Sequence, residues 1–165
     1  MDPTFLLDGM LGSLARWLRI CGYNAEYVQN LRDEEVLDRA AEGGLILLTR
    51  DDLLFRKAQR AGLEALIVVG DGDAARLAYV ARRFSLELNP DGSMCPVCGG
   101  SLSEVAKDGL TGKVPASSLR AYDEFWVCDS CGKVFWRGSH WRDIQATIDE
   151  ARELALRPGE PEQDL

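Results

Sequence analysis

Hydrophobic and polar positions alternate in blocks through residues 1–90. Short aliphatic runs, bounded by glycine or charged residues, are separated by longer stretches in which apolar residues recur every three or four positions. The short runs are typical of strands buried in a parallel sheet, and the longer stretches are typical of amphipathic helices. The pattern predicts strands over residues 4–7, 24–28, 45–49 and 66–69, helices over 11–21, 33–42, 52–60 and 74–84, and a short strand over 86–88.

This order of elements predicts an α/β fold. Strands that alternate with helices form a parallel sheet with helices on its faces and right-handed crossovers. No Gly-x-Gly-x-x-Gly sequence follows the first strand, and the chain has no lysine-containing phosphate loop. The sequence therefore supports neither a dinucleotide-binding fold nor a P-loop fold.

Two cysteine pairs appear beyond the turn-rich segment 89–92. Cys95-Pro-Val-Cys98 and Cys128-Asp-Ser-Cys131 are separated by 29 residues. Matched Cys-x-x-Cys pairs are typical of two knuckles that present four thiolates to one Zn²⁺ ion in a closed, structural site. We predict a zinc site formed by all four cysteines, and a redox-active dithiol is the weaker alternative.

The second half of the chain is predicted to be a small β-rich zinc ribbon. Aromatic and β-branched residues at 125–127 and 134–137 bracket the second cysteine pair as a hairpin would. A closing helix is predicted over Trp141–Leu156. We therefore expect an α/β domain over 1–90, the ribbon over 91–147, and a helix end with a disordered acidic tail over 148–165.

Aspartates follow three of the first four predicted strands: Asp8, Asp51, and Asp71 with Asp73. Asp33 opens the second helix, after a strand-to-helix turn. A parallel sheet brings these positions to one edge, where carboxylates repel one another unless a cation lies among them. Mg²⁺ and Mn²⁺ prefer oxygen ligands and support phosphodiester hydrolysis. The sequence thus predicts a catalytic metal cluster at this edge.

Helix capping is the competing explanation for these carboxylates. Aspartate is a favoured N-cap residue, and Asp33 and Asp51 each stand where a helix begins. Asp52 and Asp71 are better explained as a first-turn acid and a turn residue, while Asp73 stays open between the two explanations.

Two other aspartate-based sites do not fit. A phosphorelay receiver domain needs an acidic pair after the first strand and a lysine after the last, but Asp8 stands alone and residues 70–73 include no lysine. A phosphatase with an aspartyl nucleophile needs a second aspartate two residues after Asp8, where this chain has Met10.

Arginines and tryptophans provide candidate substrate contacts. Arg16 and Arg19 lie three residues apart and off the apolar stripe of the first helix. We expect them to share an exposed face and to bind substrate phosphates, with Arg50 in a less direct role. Trp136 and Trp141, interleaved with arginine, either stack on single-stranded nucleic acid or pack within the protein.

The net charge of −8 is unfavourable for nucleic-acid binding, but the distribution of the acidic residues weakens this argument. Half of the acidic excess lies in the last 18 residues, and divalent cations would neutralise much of the rest. No apolar run approaches the roughly 20 residues that span a bilayer, and the N-terminus lacks signal-peptide features. A cytoplasmic location without a membrane partner is therefore predicted.

Several motifs together resemble a known family. They are Phe5-Leu6-Leu7-Asp8-Gly9-Met10-Leu11-Gly12, Leu14-Ala15-Arg16-Trp17-Leu18-Arg19 with Gly22-Tyr23, Asp33-Glu34-Glu35, Leu47-Leu48-Thr49-Arg50-Asp51, the two cysteine pairs with Gly132-Lys133-Val134-Phe135-Trp136, and Gly138-Ser139-His140-Trp141. This set, spread over about residues 5–141, resembles the C-terminal RNase domain of the Mut-seven exonucleases.

The resemblance implies a PIN-like nuclease domain, a three-layer α/β/α sandwich, joined to a zinc ribbon. It also implies metal-dependent RNA cleavage, with the acidic cluster on Asp8, Asp33 and Asp51 and a fourth carboxylate that we assign to Asp73. The leading hypothesis is therefore a ribonuclease that uses Mg²⁺ or Mn²⁺ and acts on single-stranded RNA. The alternatives are a non-catalytic RNA- or ribosome-associated adaptor and a toxin-like nuclease held by an antitoxin protein.

Overall fold

The structure is a computed structural model that describes residues 2–157. A parallel sheet of four strands, in the order β2-β1-β3-β4, forms its centre. The strands are β1 Phe5–Asp8, β2 Ala25–Val28, β3 Ile46–Thr49 and β4 Ala65–Ile67. The predicted α/β class is confirmed, and each of these strands lies within two residues of its expected bounds.

Helices cover both faces of the sheet. They are α1 Gly12–Ile20, α2 Asp33–Gly43, α3 Asp52–Arg60, α4 Asp73–Phe84 and α6 Trp141–Leu156. Phe5 and Leu7 of β1 point into a core shared with α1, α4 and α6, whereas Leu6 points into a second core shared with α2 and α3. Successive side chains of a strand alternate between faces, so the continuous apolar runs follow from a sheet buried on both sides.

The expected strand over 86–88 is wrong. The helix α4 ends at Ser85, whose φ of +54° is left-handed, and the backbone N–H of Leu86 bonds back to the carbonyl of Ala81 at 2.8 Å. Leu88 is buried in the core, and its carbonyl accepts a hydrogen bond from Arg152 Nε at 2.6 Å. The apolar pattern there reflects packing against α6 and not pairing in the sheet.

The helix α6 belongs to the packing of the first domain. Ile148 and Ala151 are buried in the core that contains α1 and α4, and α6 lies along α4. The boundary expected at residue 147 lies within the predicted helix over Trp141–Leu156, and α6 has these bounds. The acidic tail that the sequence predicts lies mostly at 158–165, outside the described residues.

A second, antiparallel sheet carries the cysteines, in the order β5-β6-β7. Its strands are β5 Leu102–Val105, β6 Phe125–Cys128 and β7 Val134–Phe135, and a short helix α5 spans Ala116–Ala121. The expected hairpin around the second cysteine pair is confirmed by the pairing of Trp126 with Phe135 and of Val127 with Val134. Across residues 2–157 no helix combines the length and apolar character needed to cross a bilayer.

Candidate active site and metal centre

The carboxyl edge of the parallel sheet gathers the aspartates that the sequence singles out. Asp8 is the last residue of β1, and Asp51 follows the adjacent strand β3. Asp33 begins α2, which follows the other neighbour of β1. The three carboxylates lie at the same edge because all four strands run in the same direction.

The surroundings of Asp8 raise the pKa of its carboxyl group. Burial raises its pKa above the ordinary value for an aspartate, and the charges of Asp51 and Asp33 raise it further, while the Thr49 side chain acts in the opposite direction. The repulsion means that the three carboxylates lie close enough to interact electrostatically. A group perturbed by both burial and like charges marks this edge as a functional-site candidate.

Asp51 has a structural role as well as a candidate catalytic role. It is the N-cap of α3, and its Oδ1 accepts hydrogen bonds from the backbone N–H groups of Leu53 at 2.9 Å and Leu54 at 3.2 Å. The buried Thr49 hydroxyl oxygen in turn accepts from the backbone N–H of Asp51 at 3.0 Å. Capping uses one carboxylate oxygen and leaves Oδ2 for a ligand.

Asp33 is paired with a lysine. Its Oδ2 accepts a hydrogen bond from Lys57 Nζ at 2.9 Å, and this bond raises the pKa of Lys57. The structure does not support the competing explanation of Asp33 as an N-cap, because Arg32 occupies that position and the Glu35 carboxylate accepts from the backbone N–H of Arg32 at 3.0 Å. The Asp33 carboxylate thus does not cap the helix, but it forms an ion pair with Lys57.

Asp73 is the first residue of α4 and is exposed. Its Oδ1 accepts a hydrogen bond from the Ser13 hydroxyl at 2.8 Å, which ties the start of α4 to the start of α1. Both helices begin at the carboxyl edge, so Asp73 lies on the same side of the sheet as Asp8.

The aspartate side chains lie at the same edge of the sheet, but their carboxylate oxygen atoms do not form a compact cluster. Within residues 2–157, the only group of three or more cysteine, histidine or acidic side chains whose ligand atoms all lie within 4.8 Å of one another consists of the four cysteines. The oxygen donors at the carboxyl edge fit the preferences of Mg²⁺ and Mn²⁺, but Lys57 neutralises one of them.

The four cysteines form a compact cluster. The Sγ atoms of Cys95 and Cys131 lie 3.8 Å apart, and those of Cys98 and Cys128 lie 3.4 Å apart. A tetrahedral zinc site with Zn–S bonds of about 2.3 Å separates its sulfur atoms by about 3.8 Å. The donor set and spacing therefore fit a metal such as zinc.

The two cysteine pairs adopt the same backbone geometry. The N–H of Cys95 bonds to the carbonyl of Gly100 at 2.9 Å, and the N–H of Cys128 bonds to the carbonyl of Lys133 at the same distance. Gly99 and Gly132 take left-handed φ angles of +80° and +77° at matching positions. These turns are the paired knuckles that the spacing predicts.

Backbone N–H groups also stabilise the thiolate form of Cys128. The N–H of Cys131 and that of Ser130 point at its Sγ, both at 3.4 Å. These bonds, first that of Cys131, lower the pKa of Cys128 to about 6. A cysteine that ionises readily is suited to metal ligation, because the ligand is the thiolate.

Comparison with known families decides the relationship. A model of the family described as the Mut7-C RNAse domain matches residues 3–148. This chain belongs to the Mut7-C RNAse domain family. The matched region includes both the parallel sheet and the cysteine cluster, in agreement with the resemblance carried by the sequence motifs. No curated protein and no solved structure matches the chain.

In this Mut7-C domain, Arg16 and Arg19 do not share the exposed face of α1 that the sequence predicts. Arg19 is only 8% exposed. Its Nε donates to the carbonyl of Ala25 at 2.8 Å, and its Nη1 donates to the carbonyls of Pro96 at 3.1 Å and Val97 at 3.2 Å. The expectation of exposure is wrong for Arg19, which joins α1 to the first cysteine knuckle.

Arg16 and Arg50 remain exposed. The Arg16 guanidinium has no hydrogen bond or ion pair with the described part of the Mut7-C domain, so it is available for an anionic ligand. Arg50 Nη1 donates weakly to the carbonyl of Val68 at 3.3 Å.

The sequence reasoning missed Lys57. It is the only lysine among residues 1–90 of this Mut7-C chain, where the other ten basic residues are arginines. It follows Asp51 by six residues on the predicted helix α3. A single lysine among arginines could have indicated an ion pair with a carboxylate, because an ammonium group pairs with carboxylates as a compact point charge.

Proposed function

We propose that this Mut7-C domain is a ribonuclease that hydrolyses RNA phosphodiester bonds with Mg²⁺ or Mn²⁺ bound at the carboxyl edge of the parallel sheet. The observation that carries the proposal is the half-buried Asp8, whose pKa is raised by burial and by the charges of Asp51 and Asp33. Membership of the RNAse family supports RNA as the substrate. Repulsion among ionised carboxylates is relieved when a divalent cation binds among them.

Each residue at this edge has a proposed role. Asp8 and Oδ2 of Asp51 would hold the metal ion, with Asp33 and Asp73 as further carboxylates. When bound, Mg²⁺ or Mn²⁺ supplies activation of water and neutralisation of charge on the phosphate. Arg16 binds a neighbouring phosphate of the RNA backbone.

We further propose that the cysteine cluster holds a structural Zn²⁺ ion. Four thiolates close the coordination shell, so such a site has no open position for catalysis. The hydrogen bonds from Arg19 to Pro96 and Val97 would then fix the zinc knuckle against α1. Zinc would in this way set the position of the ribbon relative to the catalytic edge.

Replacing Asp51 with asparagine distinguishes the helix-capping role of this residue from its proposed catalytic role. The asparagine side chain would still cap α3, because its oxygen accepts the same bonds, but it lacks the negative charge that attracts a metal ion. We expect Asp51→Asn to slow Mn²⁺-dependent cleavage of a labelled single-stranded RNA by at least about tenfold, the loss seen even for outer partners of metal sites. Cleavage is measured as initial rates on denaturing gels.

The matched control is Asp52→Asn, which removes the same charge from the next, exposed residue. It should cleave within about twofold of the parent chain, since a single exposed charge contributes little. Equal rates for the parent and Asp51→Asn, or cleavage that is indifferent to Mn²⁺, would contradict the assignment.

Lys57 is expected to compete with the metal ion for Asp33. We predict that Lys57→Gln binds Mn²⁺ about two- to fivefold more tightly than the parent, because a cation no longer has to be displaced from the carboxylate. Isothermal titration calorimetry provides the affinities. Arg56→Gln is the control, since it removes an equal charge from an exposed neighbour on the same helix. Weaker Mn²⁺ binding by Lys57→Gln would instead identify Lys57 as a positioning residue for Asp33.

A non-catalytic RNA-binding adaptor is the second candidate. The ion pair between Lys57 and Asp33 favours it, because the chain already provides one counter-charge to the acidic edge. The same titration discriminates the two functions. A chain that binds RNA but shows no Mn²⁺ affinity at the aspartates is an adaptor.

A further inference from the structure

A cleft of about 830 Å³ lies between the parallel-sheet domain and the zinc ribbon. Its walls come from α1, the linker before the first cysteine, the ribbon strands and the start of α6. Its volume falls within the roughly 300–1,000 Å³ of sites that bind organic ligands. None of the zinc ligands and none of the candidate catalytic aspartates lines it.

Aromatic side chains dominate the ribbon side of this cleft. Three of the four tryptophans of the chain line it, namely Trp126, Trp136 and Trp141. The Cζ atom of Arg137 lies 4.4 Å from the ring centroid of Trp141 and 5.6 Å from that of Trp126. Arg137 Nη2 also donates to Asp91 Oδ1 at 3.3 Å, so a second contact orients the guanidinium. Nucleobases stack on aromatic rings and on guanidinium planes of this kind.

The charge of the cleft is opposite to that of the chain. Three arginines line it against a single acidic residue, Asp91, whereas the whole chain has a net charge of −8. Two of these arginines are already engaged, Arg19 by backbone carbonyls and Arg137 by Asp91. Within the described residues, Arg16 is the exposed member with a free guanidinium, and it is therefore available to bind a phosphate.

One end of the cleft adjoins the candidate catalytic edge. Gly12 and Tyr27 form part of its lining, and the Tyr27 hydroxyl donates a hydrogen bond to the carbonyl of Gly9, the residue after Asp8. The Tyr27 ring passes so close to α1 that a Cβ atom at position 12 would lie 3.1 Å from it. This end of the cleft therefore lies beside the turn that follows Asp8.

We infer that the cleft binds one unpaired nucleotide of an RNA strand, with its base stacked against Trp141 and Arg137 and an adjacent phosphate on Arg16. The inference rests on the proposed ribonuclease function, for which it identifies a single-stranded substrate and a site that positions it. Bases inside a duplex are stacked on one another and cannot enter such a cleft. The arginines distinguish this surface from a site for a neutral apolar peptide, which would leave the Arg16 guanidinium without a partner.

The test measures binding separately from cleavage. Fluorescence anisotropy records the affinity of a labelled oligouridylate for the Asp8→Asn chain, in which cleavage is expected to be greatly slowed. We expect Trp141→Leu to weaken binding roughly 5- to 150-fold, the range for the loss of one base–aromatic stack. Trp141→Phe should retain most of the affinity, because it keeps an aromatic face. Oligouridylate annealed to oligoadenylate should bind more weakly than the free strand.

Arg16 is tested by the salt dependence of the same affinity. A phosphate contact with single-stranded nucleic acid contributes about 0.7 to the slope of log affinity against log salt, so Arg16→Gln should lower the slope by about that amount. Arg60→Gln removes an equal charge at the last residue of α3, outside the cleft, and should leave the slope unchanged. Zinc content and the thermal midpoint of unfolding show whether each variant is folded.

Folded Trp141→Leu and Arg16→Gln chains that bind oligouridylate as tightly as the parent would overturn the inference. So would equal affinity for the strand and the duplex. If the Asp8-containing chain still cleaves RNA in those cases, the ribonuclease proposal stands without the cleft. If cleft-dependent binding holds and no chain cleaves RNA, the ribonuclease proposal falls and the cleft belongs to an adaptor.

Discussion

Replacing Asp8 with asparagine is expected to slow RNA cleavage roughly 100-fold or more and, at neutral pH, to stabilise the fold. Asp8 ends the central strand β1 between the positions of Asp33 and Asp51. A metal ion that neutralises transition-state charge is worth several kcal/mol, and each 1.36 kcal/mol corresponds to about tenfold in rate. Asparagine keeps the shape of the side chain but not the charge. Initial cleavage rates with Mn²⁺ measure the loss.

The gain in stability follows from the raised pKa of Asp8. Between the pKa of the unfolded chain and the higher pKa of the folded chain, the folded state holds more protons. The free energy of unfolding therefore falls as pH rises through this window and stays reduced above it. The asparagine side chain does not titrate, so the variant avoids that loss. Below the pKa of the unfolded chain, Asp8 is protonated in both states and contributes no such difference.

Thermal unfolding of the two chains, followed from acid to neutral pH without divalent cations, checks the sign. The midpoint of Asp8→Asn should exceed that of the parent at neutral pH, and the gap should narrow in acid. Added Mn²⁺ should raise the midpoint of the parent more than that of the variant, because a ligand stabilises only the state that binds it. A lower midpoint for Asp8→Asn at neutral pH, with the metal absent, would contradict the raised pKa of Asp8 and its assignment to burial and like charges.

Loss of one cysteine ligand is the second large effect. We expect Cys128→Ser to lose its bound zinc and to unfold the ribbon. Structural zinc sites in small peptides contribute an apparent 10–16 kcal/mol or so, whereas whole domains are stable by only about 5–15 kcal/mol. The ribbon has a small core around Leu110, Val114 and Phe125, and it cannot replace a contribution of that size.

Metal analysis and near-ultraviolet circular dichroism measure this effect. The zinc content should fall from one ion per chain to near zero, and the dichroism of the ribbon tryptophans should disappear. Cys21→Ala is the control, because Cys21 is a buried core residue whose pKa is raised to about 11 by burial, and it lies outside the cluster. It should keep its zinc. A Cys128→Ser chain with a full complement of zinc and an intact tryptophan spectrum would refute the proposed structural role.

Local patterns in the sequence were sufficient to predict most of the fold. The strands around Leu6 and Leu47 are continuous aliphatic runs because both faces of the sheet are covered, and the cysteine spacing identifies the knuckles directly. Asp51 illustrates a limit of this reasoning. Its position suits both a cap and a metal ligand, and the structure shows the cap while leaving the second carboxylate oxygen open to a ligand.

The failures share a cause, which is contact between residues distant in the chain. Arg19 has the spacing of an exposed residue on α1, yet Pro96 and Val97 cover it from 77 and 78 residues away. Leu88 has the pattern of a strand but packs beneath α6. Lys57 reaches Asp33 across 24 residues. The aromatic cleft has the same origin, because α1 and the ribbon each provide only one of its walls.

The helix α6 follows the ribbon in the sequence but packs against the parallel-sheet domain. The order of synthesis therefore affects how this domain folds. The strands and α4 leave the ribosome first, but the face of α4 that α6 covers stays open until residue 156 has been made. The cysteine-containing segment lies between the two helices, so it must be synthesised before that face can close. Folding of this segment around zinc would shorten the effective loop and lower the entropic cost of bringing α6 to α4. Zinc supply would then influence how long the nascent parallel-sheet domain exposes apolar surface to chaperones and proteases.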